Sequence, residues 1–313
     1  MSNTIYTATG CSRCKIAKKF MEERGIACQD LDIKAEGKDA FGQFYRDSRS
    51  AVFRGKEGIE FPIFTDDTTI RQGVGVVLAY LHAGKKLDGF IGRSELSHGW
   101  MDGIHVSEGD PSLADDLTTV LSYIKKNGLN LQMDTDGRNA SILEKLLEQQ
   151  LVDRVIMEVK GPLTLYAGIL NKEIDPEEIK STIRLVAKFP EHRFQTTVAP
   201  VVRQEEGTQT IRYVKKPECP ALPSGDEPGF FHRRSPVLPH GVLHLTPEEI
   251  AETAKLIQEV TGSNKQPYLL RVFDPSNASD QRLKSVEKIP PNALFPYRSA
   301  ARRHQVLTEI EKS

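Results

Sequence analysis

Two cysteines three residues apart carry the clearest chemistry in the chain. They stand in the run Ile5-Tyr-Thr-Ala-Thr-Gly-Cys11-Ser-Arg-Cys14-Lys-Ile-Ala-Lys-Lys-Phe20. An extended segment over residues 4–7 runs into a turn at Gly10. A helical pattern then places Ile16, Ala17, Phe20 and Met21 on one face. Cys11 therefore falls at a helix N-terminus, where unpaired N–H groups favour an anion. Arg13, Lys15 and Lys18 add positive charge, so the Cys11 thiolate is expected to form more readily than that of a free cysteine. Cys14 lies one turn further in, where it can resolve a mixed disulfide formed on Cys11. The competing readings are a structural disulfide and half of a zinc site. Zinc needs two more ligands at finger-like spacing, and no second paired-cysteine motif exists, so the redox reading is preferred.

A second group of chemistry-bearing residues closes a series of expected strands: Ser107-Glu108-Gly-Asp110-Pro111, Asp134-Thr-Asp136-Gly137, Glu158-Val-Lys160, Thr197-Val-Ala-Pro200 and Arg271-Val-Phe-Asp274. In a parallel α/β sheet, functional groups collect at the carboxyl ends of the strands. Glu108, Asp134, Glu158 and Lys160 are accordingly expected to line one mouth. Lys160 would meet an anionic group, and the carboxylates would accept hydrogen bonds from amino or hydroxyl groups. The alternative for each is a solvated loop charge or a cap, a use that suits Asp110 before Pro111 and Asp136 before Gly137.

These residues must be positioned by two series of elements. Residues 1–88 read as strand, helix ending at Gly25, strand over 26–33, helix over 39–53, strand over 58–65 containing Pro62, strand over 68–71, and a helix over 74–83 ended by Gly84. Cys28 lies on the second strand and reads as a small half-buried side chain. Residues 89–313 alternate strands (104–106, 129–133, 154–159, 194–202, 268–273) with helices (115–126, 141–151, 176–189, and 247–261 with Thr246 as N-cap). Repeated βα units imply a parallel sheet, open or curled into a barrel. The tail after Asp280 reads as helical over 300–310. Trp100 and His105 are expected to fill space near the first barrel loop, Trp100 as a core residue.

The β-α-β-α-β-β-α order, the Cys-x-x-Cys turn and the proline opening the third strand resemble a glutaredoxin within the thioredoxin fold. The resemblance implies a cis Phe61–Pro62 bond, with Pro62 lying against Cys11 and orienting a substrate disulfide or thiol. It also implies glutathione at this domain, although the signature after the fourth strand reads Arg71-Gln-Gly-Val-Gly75 and lacks the family's acidic residue.

Over residues 103–275 the run Ser107-Glu-Gly-Asp-Pro, Asp134-Thr-Asp-Gly, Glu158-Val-Lys160 resembles the radical S-adenosylmethionine activating enzymes of glycyl-radical systems. Their pattern is Gly-Gly-Glu-Pro, Asp-Thr-Asn-Gly and Asp-x-Lys, and these segments hold the amino, ribose and carboxylate groups of S-adenosylmethionine. That family carries a 4Fe–4S cluster on a Cys-x3-Cys-x2-Cys loop. The equivalent stretch here, Phe90-Ile-Gly-Arg-Ser-Glu-Leu-Ser-His-Gly-Trp100, has no cysteine. Cluster irons need thiolates, so no cluster is expected from this chain alone and no other metal site is assigned.

The expected fold class is thus α/β: a thioredoxin-like domain (1–88) followed by a partial (β/α) barrel (89–313). The expected function is thiol–disulfide oxidoreduction by Cys11, Cys14 and Pro62, fused to a barrel that binds a small ligand or partner. The alternative is a module binding S-adenosylmethionine, a nucleotide or a partner enzyme, with the thiols as a regulatory switch. A third reading keeps radical chemistry, with a cluster supplied by another chain. Lys and Arg number 42 against 43 Asp and Glu, which gives no electrostatic case for nucleic acid or an anionic membrane. No apolar run approaches the ~20 residues of a membrane span. Four cysteines are too few for a secreted disulfide scaffold, so a cytoplasmic location is expected. The expected partners are a disulfide-containing protein or small thiol and a partner enzyme. Cys219, His232, His240 and His244 match no zinc-finger spacing and read as a proline-rich surface loop.

Overall fold

The computed structural model describes residues 3–55, 58–66, 68–96, 99–202, 242–278, 283–286 and 288–312. In chain order the elements are β1 (Thr4–Thr7), α1 (Ser12–Glu23), β2 (Gln29–Asp32), α2 (Lys38–Asp47), β3 (Arg54–Gly55), β4 (Gly58–Ile59), β5 (Ile63–Thr65), β6 (Ile70–Gln72) and α3 (Val74–Ala83). There follow β7 (Trp100–His105), α4 (Ala114–Lys126), β8 (Asn130–Thr135), α5 (Ala140–Glu148), β9 (Arg154–Glu158), α6 (Leu163–Leu170), α7 (Pro176–Val186), β10 (Glu191–Val198) and β11 (Pro200–Val202). The last are β12 (Val242–His244), α8 (Pro247–Thr261), β13 (Tyr268–Val272), α9 (Phe295–Ala301) and β14 (Thr308–Ile310).

The chain is mixed α/β, and its strands form a four-stranded sheet in the order β2-β1-β5-β6 and a six-stranded sheet in the order β14-β13-β10-β9-β8-β7. In the larger sheet β7–β8, β8–β9, β10–β13 and β13–β14 all pair in parallel. Helices alternate with the strands of this sheet along the chain. The chain forms two compact units: Met1–Met157 with Asp175–Arg193, and Glu158–Ile174 with Phe194–Ser313.

In the first unit, β1 pairs parallel with β2 and antiparallel with β5, which pairs antiparallel with β6. The apolar stripe of α1 is buried as its spacing requires: Ile16, Ala17, Phe20 and Met21 all face inward. Phe20 meets Tyr123 of α4 edge-on, ring centroids 4.9 Å apart, and the Arg24 guanidinium lies 3.5 Å from the Phe20 centroid. Residues 4–83 and 100–126 thus share packed side chains within this unit.

In the second unit, Thr246 and Glu249 form a capping box that starts α8, with the Thr246 side chain accepting the Glu249 N–H and the Glu249 carboxylate accepting the Thr246 N–H. The tail departs from the helix expected over 300–310. α9 ends at Ala301, and residues 308–310 join β13 as a parallel edge strand. Pairing with 308–310 gives backbone partners to an edge of β13 that a terminal helix would leave open. α6 was not anticipated, because its residues, Leu-Thr-Leu-Tyr-Ala-Gly-Ile-Leu, are apolar without a clear face. Among the described residues, no helix is long and apolar enough to cross a membrane.

Candidate functional site

Cys11 is the N-cap of α1, and its Sγ accepts the Cys14 N–H at 3.1 Å. A sulfur takes the place of the usual capping oxygen because the Gly10 turn delivers Cys11 in an extended conformation at the helix start. Cys11 and Cys14 are joined as a disulfide with Cα atoms 5.3 Å apart. The two sulfurs are not equivalent: Cys14 is 2% exposed, whereas Cys11 is half-buried. Phe61–Pro62 is a cis peptide, as expected, and the Phe61 carbonyl oxygen lies 4.0 Å from Cys11 Sγ. The Pro62 carbonyl accepts the Gly73 N–H at the start of α3.

The positive charges near the thiols are partly committed elsewhere. Lys18 pairs with Asp30 at 2.7 Å. Arg13 pairs with Glu60 at 2.9 Å and donates to Ser94 Oγ and to the carbonyls of Leu96 and Trp100. The Arg13 and Glu60 side chains are each only 14% exposed. Burial pushes the Glu60 carboxyl up to about 7; Arg13 opposes the rise and Asp102 adds to it. Cys28 is free, and burial with the nearby Asp30 charge pushes its thiol up to about 11, which makes it a poor nucleophile.

Within the stretch 90–100, residues 90–92 form an accessory edge of the sheet. His105 N donates to Phe90 O and Gly92 N to Gly103 O, each at 2.7 Å, so residues 90–92 run antiparallel beside β7. Asp102 holds the following turn, accepting from Ser94 Oγ, Glu95 N and Leu96 N. Neither expected space-filler is in the core: Trp100 is half-buried with the Arg154 guanidinium 4.5 Å over its ring, and His105 is exposed. The donor set of this stretch does not fit an iron–sulfur cluster. Among the described residues, no group of three His, Cys, Asp or Glu is placed to hold a metal.

Of the expected strand-end residues, Glu108 and Asp134 belong to the first unit and Glu158 and Lys160 to the second. In the first unit, the ends of β7 and β8 bind each other. Ser107 Oγ meets Thr135 Oγ1 at 3.1 Å and accepts the Asp136 N–H, while Asn139 Nδ2 donates to the Val106 and Gly109 carbonyls. Arg138 bonds Asp136 at 2.9 Å and reaches the largely exposed Glu108 at 3.4 Å. In the second unit, Glu158 and Lys160 line a cavity of about 800 Å³ together with Asn171, Thr197, Arg271 and Asp274. Asp134 and Glu108 are not among its lining residues. Glu158 is held to β10, its carboxylate accepting Thr197 N and Gln195 Nε2 at 2.8 Å each. Arg271 Nε donates to Glu311 at 3.0 Å. Thr197, Arg271 and Asp274, which belong to the expected series of strand ends, line this cavity with Lys160, whereas Asn171 was not anticipated. Asn171 follows α6 in the left-handed conformation and carries no strand-end signal.

Cys219, His232 and His240 lie outside the described residues. His244 is on β12, half-buried, and burial lowers its pKa.

No family model matches the chain. Over 118 residues, 35% of its length, it is 31% identical to a protein of Methanocaldococcus jannaschii named as a glycyl-radical enzyme activating enzyme, and the match covers 48% of that protein. The chain therefore spans about half the length of the curated relative it matches.

Proposed function

We propose that the barrel is a binding module of the activating-enzyme type, taking S-adenosylmethionine, a nucleotide or a partner enzyme, and that the Cys11–Cys14 pair acts as its redox switch. The observation that carries this reading is the cavity at the ends of β9, β10 and β13, lined by Glu158 and Lys160 of the Glu-Val-Lys run. Its donor chemistry fits S-adenosylmethionine: Lys160 and Arg271 suit a carboxylate, while Asp274 and the Asn171 amide suit amino and hydroxyl groups. Glu158 contributes by fixing β10 rather than by offering a free carboxylate. Bound S-adenosylmethionine supplies a sulfonium, but with no cluster ligands at 90–100 no reductive step is assigned to this chain. Calorimetry with S-adenosylmethionine, its demethylated product and a nucleotide should show binding to wild type that Lys160→Ala weakens on the order of tenfold, the loss of one charge-assisted hydrogen bond. Failure of all three to bind would remove the small-ligand reading and leave a partner surface.

A second reading, thiol–disulfide oxidoreduction, is favoured by the half-buried Cys11 sulfur beside the Phe61 carbonyl and cis Pro62, with Cys14 buried behind it. The β2-β1-β5-β6 sheet with one parallel and two antiparallel pairings supports a thioredoxin-like fold for residues 1–88. Cys11 is then the nucleophile, Cys14 the resolving thiol and Pro62 the orienting residue. A reducing cytoplasm would allow the pair to cycle. Turnover of a small disulfide tests it: a Cys11→Ser variant as fast as wild type would sink this reading.

A further inference from the structure

Arg13 is one of the two inner residues of Cys11-Ser-Arg-Cys14, and its guanidinium is bonded outside the motif. It reaches across to Glu60, the residue before Phe61, and to the carbonyls of Leu96 and Trp100. The two sides of the thiol site come from different parts of the sequence: the sulfurs from the start of α1, and the Phe61–Pro62 backbone from the segment between β4 and β5. We propose that the Arg13–Glu60 ion pair, anchored on the carbonyls of Leu96 and Trp100, positions the Phe61–Pro62 backbone against Cys11 for an incoming peptide thiol. The inference rests on the oxidoreductase reading and adds a third element, the Leu96 and Trp100 carbonyls, to that site.

Three observations carry it. Both side chains are nearly buried, so the pair is held in one geometry and weakly screened. Glu60 is bonded through one peptide to Phe61, whose carbonyl is 4.0 Å from Cys11 Sγ. Leu96, whose carbonyl Arg13 holds, is itself fixed by Asp102, which accepts from Leu96 N, Glu95 N and Ser94 Oγ. The charged groups facing Glu60 are Arg13 from α1, Asp102 from β7 and Arg93 from the segment before it.

The reaction under test is reduction of the disulfide by a peptide dithiol. A peptide thiolate attacks Cys11 Sγ, the Cys11–Cys14 bond breaks, and Cys14 leaves as a thiolate that takes up a proton. The second peptide thiol, losing its proton, attacks the mixed disulfide and releases Cys11. Two electrons pass from the peptide, which ends as a disulfide. Dithiothreitol performs the same exchange without a peptide chain to lie along Phe61–Pro62.

The experiment measures second-order rates of reduction of the full-length oxidised protein by a cysteine-pair peptide and by dithiothreitol, for wild type, Arg13→Gln, Glu60→Gln and Asp102→Asn. Each variant is checked for folding by circular dichroism. The expected result is a loss on the order of tenfold with the peptide in Arg13→Gln and Glu60→Gln, a smaller loss in Asp102→Asn, and dithiothreitol rates within about twofold of wild type. Equal loss with both reductants would mean that the pair only stabilises the fold, and no loss with either would mean that it positions nothing; each overturns the inference. Should Arg13→Gln fail to fold, Glu60→Gln and Asp102→Asn decide by the same criterion. A wild-type protein reduced no faster by the peptide than by dithiothreitol would instead remove the oxidoreductase reading, and the inference with it.

Discussion

The Phe90 ring lies against Gly109 so closely that a Cβ on the glycine would stand 2.0 Å from Phe90 Cε1. Phe90 is fully buried, so the turn that closes β7 is covered by the chain's own aromatic side chain. Gly109→Ala is expected to destabilise the protein by about 1–3 kcal/mol or more, the range for overpacking a filled site. Phe90→Leu in the same chain should recover part of that loss. Urea denaturation of the two single variants and the double variant checks it; strictly additive losses would mean that the contact does not decide the site.

Because Cys14 is buried and Cys11 is half-buried, a thiol should attack the disulfide at Cys11. The reduced Cys14→Ser variant is expected to attack a peptide disulfide through Cys11, keeping one half as a mixed disulfide on Cys11 while the other half leaves as a thiol, whereas Cys11→Ser should trap little on Cys14. Mass spectrometry of the adducts reads the ratio, and equal trapping would contradict the exposure argument.

The Glu158 carboxylate satisfies the Thr197 N–H and the Gln195 amide. Glu158→Ala leaves both donors without that acceptor and should cost about 1–3 kcal/mol of stability; Glu158→Gln keeps an acceptor oxygen and should cost less. If chemical denaturation finds the two variants equally stable, the carboxylate is not what ties β9 to β10.

Glu60 has its pKa raised to about 7 in the fold, chiefly by burial. A carboxyl raised above its unfolded value binds its proton more tightly when folded, so this contribution to stability is complete below the unfolded pKa and is lost as pH rises through about 7. Relative to Glu60→Gln, wild type should lose roughly 3 kcal/mol between the ordinary glutamate range and well above neutrality, at about 1.4 kcal/mol per pKa unit. Parallel stability–pH curves for the two proteins would refute it.

Local sequence was enough for those features whose causes are local. The Cys11 cap on α1 follows from a turn residue, a small polarisable side chain and an apolar stripe within twelve residues. The capping box on α8 needs only Thr246 and Glu249, and the βα alternation from 100 onward follows from periodicity and turn residues. What needed tertiary structure depends on groups far apart in the chain. Arg13 read as a cation beside the thiols, yet its acceptors lie some fifty and eighty residues away and take the charge elsewhere. Glu108, Asp134, Glu158 and Lys160 all end expected strands, but a strand-end position does not say which way a side chain turns or which neighbour claims it. Backbone donors on β10 claim Glu158, Arg138 reaches Glu108, and Lys160 faces a cavity with Asn171 and Arg271. The last residues carry a helical pattern in isolation, and it was the open edge of β13, invisible to a short window, that made 308–310 a strand.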